Sequence, residues 1–340
     1  MTPWEPRAPL ERLRFVASLR AVIRAWMSAE NVLEVTTPVL SRAAPADLHL
    51  DAFRTAPLPS TPTDDGPSTD GSRWLQTSPE YPMKRLLAAH GVDIHQIAPV
   101  FRAGERGARH NPEFTMLEWY RIGMDHNALM DDVAALFETL WRRFDRSWHS
   151  PERHGVHDLV NEVLGAGAAA TDRGPFLDVV QVRAHFLAEG RSWPASIGDD
   201  ADAALDLLLD EFVLPRLPRD RLTFLHGWPP SQAALARLGT DAAGRDVAER
   251  FEVYMGALEI GNGYHELADA DEQRARFEQE LARRRAGGRE TPPLDEGLLG
   301  ALAAGLPDCA GVAVGLDRLA MALADVTHID ELIAFPFERA

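Results

Sequence analysis

Two arginines and a set of glutamates are the residues of this 340-residue sequence whose types and spacing could do chemistry. Phe101-Arg102 is followed by Gly104, Glu105 and then His110-Asn111-Pro112-Glu113-Phe114, a strand–turn–strand pattern. An arginine at a strand end can clamp a phosphate through two parallel N–H donors. Near the C-terminus, Gly311-Val312-Ala313-Val314-Gly315-Leu316-Asp317-Arg318 allows close backbone approach, starts a helix and offers Arg318 to a second phosphate. In the segment Arg250 to Leu267, Glu252 and Glu259 fall on the two arms of a hairpin, and Gly261 and Gly263 invite a bulge. One pair of carboxylates can hold Mg²⁺ beside a triphosphate, since that ion takes a few carboxylates plus phosphate oxygens. The remaining glutamates can meet a substrate bearing two ammonium groups, a description that lysine fits.

The segment 114–122 is the most informative. A period of two places Phe114, Met116, Glu118 and Tyr120 on one face. At a strand's rise that face spans about 20 Å, enough for an adenine ring and an amino acid lying end to end. An ordinary half-buried strand would show the same alternation. A glutamate between Met116 and Tyr120 argues against that plain reading, because a buried carboxylate needs a partner.

Several elements must position these groups. Leu13, Val16, Leu19, Ile23 and Trp26 recur at helical spacing over 11–28. Val32 to Leu40 reads as a strand interrupted at Pro38, and Ser78-Pro79 opens a helix that Gly91 ends. His95 to Arg102 and Phe114 to Ile122 are strands, and residues 126–144 form a helix. Residues 56–72 read as a flexible loop, and about 146–220 as a helical insertion with turns at Gly165, Gly174 and Gly198. Arg250 to Leu267 is a strand pair turning near Gly256; a charged helix at 271–285 and a last helix after Gly315 follow. Hairpin-linked strands favour an antiparallel sheet within an α+β fold.

Composition narrows the partners. The net charge of −17 disfavours a nucleic-acid partner, since binding a phosphate backbone needs basic surface. There is no stretch approaching the ~20 apolar residues of a membrane span, and the first ten residues do not form a signal peptide. A cytoplasmic enzyme is expected. Cys309, the one cysteine, excludes an internal disulfide and reads as a packing residue. Histidines 95, 110, 126 and 265 show no short ligand spacing, so no zinc site is expected. The basic residues are 34 arginines and a single lysine, Lys84, a bias that codon usage in a GC-rich genome explains.

These segments resemble the three signature motifs of class II aminoacyl-tRNA synthetases, specifically the lysyl enzymes. Glu34-Val35-Thr36-Thr37-Pro38 with the first helix looks like motif 1, Phe101-Arg102 through Tyr120 like motif 2, and Gly315-Leu316-Asp317-Arg318 like motif 3. The resemblance covers nearly the whole chain and implies one catalytic domain over residues 1–340, an antiparallel sheet flanked by helices, and a homodimer through motif 1. The first motif begins too early to leave room for an anticodon-reading domain. That layout is similar to the β-lysine ligases of translation elongation factor P, a branch of the same family, and implies elongation factor P rather than tRNA as acceptor.

The resemblance also assigns roles. Ser78, Pro79, Glu80, Glu118, Tyr120, Asn262, Tyr264 and Glu266 would bind the amino acid, with Glu266 meeting its ε-ammonium. Arg102 and Arg318 would be catalytic on ATP, with His110, Asn111, Phe114, Glu259, Ile260 and Gly315 as further ATP contacts. Glu252 and Glu259 would hold Mg²⁺. The family's Arg-x-Glu is Arg102-Ala103-Gly104-Glu105 here, so either Glu105 or the Gly104 backbone takes the usual glutamate's place. Ala313 stands where lysyl-tRNA synthetases carry glycine; one methyl in a pocket wall shifts discrimination by ~10–200-fold, here toward β-lysine. Rival readings are a free-standing tRNA-charging enzyme, an ammonia-using amide synthetase on the same fold, and a non-catalytic synthetase-like regulatory subunit.

Overall fold

The computed structural model describes residues 4–48, 50–56, 71–165 and 176–340 and divides into two compact units. The first unit runs to Asp125 and resumes at Glu266; the second is His126–His265.

The first unit opens with α1 (Leu10–Ala29), whose buried stripe is Val16, Leu19, Ile23 and Met27. Each fully buried side chain of this kind contributes about 1.5–3 kcal/mol. The expected strand at 32–40 resolves into two short ones, β1 (Leu33–Glu34) and β2 (Leu40–Ser41). Proline at 38 cannot donate to a ladder, which is why pairing stops there. Strand β2 pairs with β3 (Trp74–Leu75) as a separate ribbon. Helix α2 (Glu80–His90) ends at Gly91 in the left-handed conformation, φ +61°. Then come β4 (Ile94–Phe101) and β5 (Glu113–Ile122), paired antiparallel.

The second unit begins with α3 (His126–Arg143) and continues through β6 (Glu152–Gly155), α4 (Val156–Leu164), α5 (Val179–Ala188) and α6 (Ala201–Leu208). Among its described residues, the stretch expected to be helical is largely so, and it also holds β6, which pairs in parallel with β7 (Leu222–Trp228). Next are β8 (Leu238–Thr240), β9 (Asp246–Met255) and β10 (Leu258–His265). Strands β7, β9 and β10 are antiparallel neighbours, and β8 edges β9. Val160, Phe186, Leu208, Phe212 and Trp228 centre this unit's core.

Back in the first unit, α7 (Ala270–Ala286) and α8 (Glu296–Gly305) precede β11 (Cys309–Gly315) and α9 (Leu316–Ala324). Strand β11 lies antiparallel to β5, giving the order β1–β4–β5–β11. The antiparallel expectation thus holds for most pairs, with β1–β4 and β6–β7 as parallel exceptions. Among residues 56–72, 57–70 lie outside the described residues, as does Gly174.

Candidate active site

In the first unit, strand register assembles one face. Glu118 stands opposite Gln96 on β4 and Ala313 on β11, and Tyr120 stands opposite Gly311. Opposed residues share a face, so Ala313 flanks Glu118 directly. A Cβ on Gly311 would overlap the Tyr120 ring and Glu266, so only glycine allows those two side chains to meet there. Glu266 follows the second unit's last residue and is anchored by its N–H, which donates to the Cys309 carbonyl. Cys309 itself is buried, as a packing residue should be.

Ser78 does two jobs at the start of α2. Its Oγ accepts from the Glu80 N–H at 3.0 Å and donates to Glu118 Oε2 at 2.7 Å. Pro79 needs no such acceptor, having no N–H of its own. Tyr120 donates to the other Glu118 oxygen at 2.7 Å. Sequence reasoning passed over the residue at the centre. Lys84 Nζ lies 2.7 Å from Glu80 Oε1 and 2.5 Å from Glu266 Oε2, and its side chain is 1% exposed. The chain's one lysine thus occupies a carboxylate that the resemblance gives to the substrate's ε-ammonium. One turn of helix separates it from Glu80.

The charges in this pocket do not balance. Glu80, Glu118 and Glu266 share a single ammonium, leaving the pocket two positive charges short when all three are ionised. Burial, reinforced by Glu80, pushes Glu118 up to about 7 despite the bonds from Tyr120 and Ser78. Burial pushes Glu266 up to about 8, against the pull of Lys84. Burial alone would lower the Lys84 ammonium, but Glu266 and Glu80 outweigh it and hold it above its ordinary value. The two directions are compatible, because one ammonium cannot satisfy three carboxylates.

The phosphate-directed residues cluster along the turn after β4. Gly104 has φ +82°, which a side chain rarely adopts, and that turn brings Glu105 Oε1 to 3.7 Å from Arg102 Nη1. The Arg102 guanidinium lies 5.2 Å from the centre of the Phe114 ring. Arg318, at the start of α9, donates to the Arg109 carbonyl at 3.3 Å, and its Nη2 is 2.5 Å from His110 Nε2. Gly315 stands opposite Met116 and precedes α9. Asp317 accepts from the Thr115 N–H at 2.7 Å, tying α9 to β5. Asn111 donates to the Glu113 carbonyl at 2.6 Å and accepts from the Phe337 N–H. Arg102 and Arg318 are thus seated on opposite ends of one turn.

In the second unit, β9 and β10 carry the other expected residues. Asn262 stands opposite Glu252 and Glu259 opposite Tyr254, with a register shift between Glu259 and Gly261. The expected bulge is present. Without it, residues three apart would point to opposite faces; with it, Glu259 and Asn262 share the face of Glu252. A Cβ on Gly263 would overlap the Phe251 ring, while Ile260 is buried.

Arg250 organises this face and was read only as a strand start. It pairs with Glu252, donates to Asn262 Oδ1 at 3.3 Å and to the Gln232 carbonyl at 2.8 Å. Its guanidinium lies 4.5 Å from the Trp228 ring centre and 6.0 Å from that of Tyr264. Tyr254 donates to the other Glu252 oxygen at 2.5 Å. Burial pushes Glu252 up to about 7 against the pull of Arg250, and Glu259 adds to the rise. Glu252 and Glu259 put two carboxylates on one face, the oxygen donors that Mg²⁺ takes, so the residue types fit that ion.

Comparison with known proteins agrees with this arrangement. Residues 8–339 match the family model described as tRNA synthetases class II (D, K and N). Proteins named elongation factor P–(R)-β-lysine ligase are similar along their full length. That of Vibrio parahaemolyticus is 41% identical, covering 100% of this chain and 99% of the relative. That of Vibrio cholerae is 42% identical over 99% and 98%, and that of Yersinia enterocolitica 40% over 99% and 98%. The α+β architecture, the motif-bearing strands and this match together place the chain: it belongs to the class II tRNA synthetase family.

Proposed function

We propose that the protein is an ATP-dependent ligase that activates (R)-β-lysine as its adenylate and transfers it to a lysine side chain of translation elongation factor P. The observation that carries this reading is the buried pocket of Glu80, Glu118 and Glu266 around Lys84, two positive charges short. A β-lysine molecule brings two ammonium groups, while its carboxylate is left to react. The full-length similarity to proteins named for this activity supports the acceptor.

In the first step a carboxylate oxygen of the amino acid attacks the α-phosphorus in line, and pyrophosphate leaves. Arg102 stabilises the charge developing on the α-phosphate, and Arg318 assists the leaving pyrophosphate. Phe114 offers its ring to the adenine, with Asn111, His110 and Gly315 as further nucleotide contacts. Glu105, whose Oε1 lies 3.7 Å from Arg102 Nη1, is the residue we assign to the place of the family's usual glutamate. Glu252 and Glu259 would hold Mg²⁺, which neutralises phosphate charge when bound. No side-chain nucleophile is required, because catalysis here is positioning and electrostatics. In the second step the neutral amine of the acceptor lysine attacks the adenylate carbonyl and AMP leaves.

Ser78, Tyr120, Asn262 and Tyr264 orient the amino acid, and the Ala313 methyl beside Glu118 sets the pocket's length. We further infer a homodimer through the motif 1 region, where Leu10, Leu33 and Leu40 are exposed. No tRNA partner is part of this reading, in keeping with the net charge of −17. No described helix is long and apolar enough to cross a membrane, and the cytoplasm is the proposed location.

Incubation with ATP, Mg²⁺, β-lysine and elongation factor P, followed by mass measurement of the acceptor, tests the assignment. The acceptor gains one lysyl mass if the reading is right. An unchanged mass with intact pyrophosphate exchange would remove the acceptor but leave the activation chemistry.

A further inference from the structure

We propose that His126, Glu249 and His265 form a binding site for a divalent d-block cation, zinc(II) first, separate from every residue given a role above. One donor atom from each of the three lies within 4.8 Å of the other two. No short histidine spacing announces the site, because its ligands come from the first residue of α3, from β9 and from the end of β10.

The fold explains the meeting. Tyr264 stands opposite Arg250, so the ladder continues with Glu249 beside His265. Alternation turns that pair to the face away from Arg250, Glu252, Asn262 and Tyr264. Helix α3 packs across β9 and β10, and its first residue supplies the third donor. His265 Nδ1 lies 2.5 Å from Glu249 Oε2, so these two donors already face one point, and a bound cation would replace the proton between them. Gly239 on the neighbouring edge strand leaves the space Glu249 fills; an added Cβ there would overlap the carboxylate. His265 is buried, and Glu249 and His126 are partly so, giving a site shielded on one side and reachable from the other.

Two imidazoles and a carboxylate are the donor set zinc takes in three-ligand sites, with water in the fourth position. Magnesium, by contrast, prefers an all-oxygen shell, so this site is chemically distinct from the glutamate pair on the other face. Zinc–ligand bonds of about 2.0–2.2 Å require the His265–Glu249 pair to part slightly and the three donors to adjust around the ion. A side-chain rotation at partly exposed His126 provides part of that adjustment. A cation there would tie the start of α3 to the two strands whose opposite face carries Glu252, Glu259 and Asn262.

Equilibrium dialysis of the full chain against micromolar zinc, in excess Mg²⁺, tests the site. The expected result is one zinc per chain, bound at least about 10-fold more weakly by His126→Ala and Glu249→Gln. Glu252→Gln should bind zinc as the unaltered chain does. His126→Cys, which keeps a ligand at that position, should restore binding and give a thiolate charge-transfer band with cobalt(II). This separates ligation from any loss of fold in the alanine variant. Absence of stoichiometric zinc, or equal binding by the unaltered chain and His126→Ala, would overturn the proposal.

Discussion

Each candidate site face is organised around one cation, Lys84 in the first unit and Arg250 in the second, but the two cations are matched differently. Lys84 faces Glu80 and Glu266, with Glu118 close by. Arg250 faces one bonded carboxylate, a carbonyl, an amide oxygen and two aromatic rings. The first arrangement sets three carboxylates against one ammonium in a buried pocket; in the second, one guanidinium meets one bonded carboxylate and neutral acceptors. A lysine is a compact point charge that can be shared among carboxylates, whereas a guanidinium's planar fork spreads over several acceptors and stacks on rings. The difference suits two kinds of ligand. Under the proposed function, the pocket with a fixed ammonium and surplus carboxylate would take an organic cation, and the face with two carboxylates a metal ion.

Removing each cation should separate the two regions most sharply. Stripping a buried ion pair of one partner costs about 3–5 kcal/mol. For Lys84→Met that loss should be larger at about pH 8 than at about pH 6 and keep growing above pH 8, because Glu118 and Glu266 are raised to about 7 and about 8 and take up protons below those values. Saturating β-lysine should restore part of it. Arg250→Met should lose stability that β-lysine does not restore. Denaturant unfolding at the two pH values measures both; a pH-independent loss in Lys84→Met would separate Lys84 from the carboxylates.

A pH dependence of substrate binding comes next in size. These carboxyls lie above their ordinary range in the folded, ligand-free protein, so folding holds extra protons between about 4.5 and 8. Stability therefore falls as pH rises through that window. A di-ammonium ligand favours the ionised forms, so its affinity should rise with pH through about 7 and level off above about 8. The KM for β-lysine in pyrophosphate exchange, followed against pH, checks this; a KM that increases with pH there would contradict it. Glu118→Gln should flatten the profile.

The smallest expected effect is at Ala313. Ala313 stands opposite Glu118; under the proposed function its methyl shapes the amino-acid site, so Ala313→Gly should move preference toward α-lysine by about 10-fold. The ratio of kcat/KM for the two isomers reads this directly.

Much of this was legible in the sequence. Alternation over 114–122 named the strand and the buried Glu118, and Gly261 with Gly263 announced the bulge that gathers Glu252, Glu259 and Asn262. What was hidden depended on distant pairing. Lys84 looked like an accident of composition until Glu266, from the far end of the chain, came beside it. Arg250 showed only as a strand start, since its partners Gln232, Trp228 and Tyr264 lie on separate elements. Strand β7 escaped notice because residues buried on both faces lose the period-two signal, and five of its seven positions are buried. His126 and His265 gave no spacing motif for the same reason that Lys84 gave none.

The central claim is that the Lys84 pocket is built for two ammonium groups. The most direct measurement is ATP–pyrophosphate exchange with β-lysine against matched acids that lack one of its two amines. Sites that hydrogen-bond a buried polar group reject analogues lacking it by about 10⁴-fold or more, so exchange should collapse by that order with either mono-amine. Comparable exchange with β-lysine and a mono-amine would contradict the account.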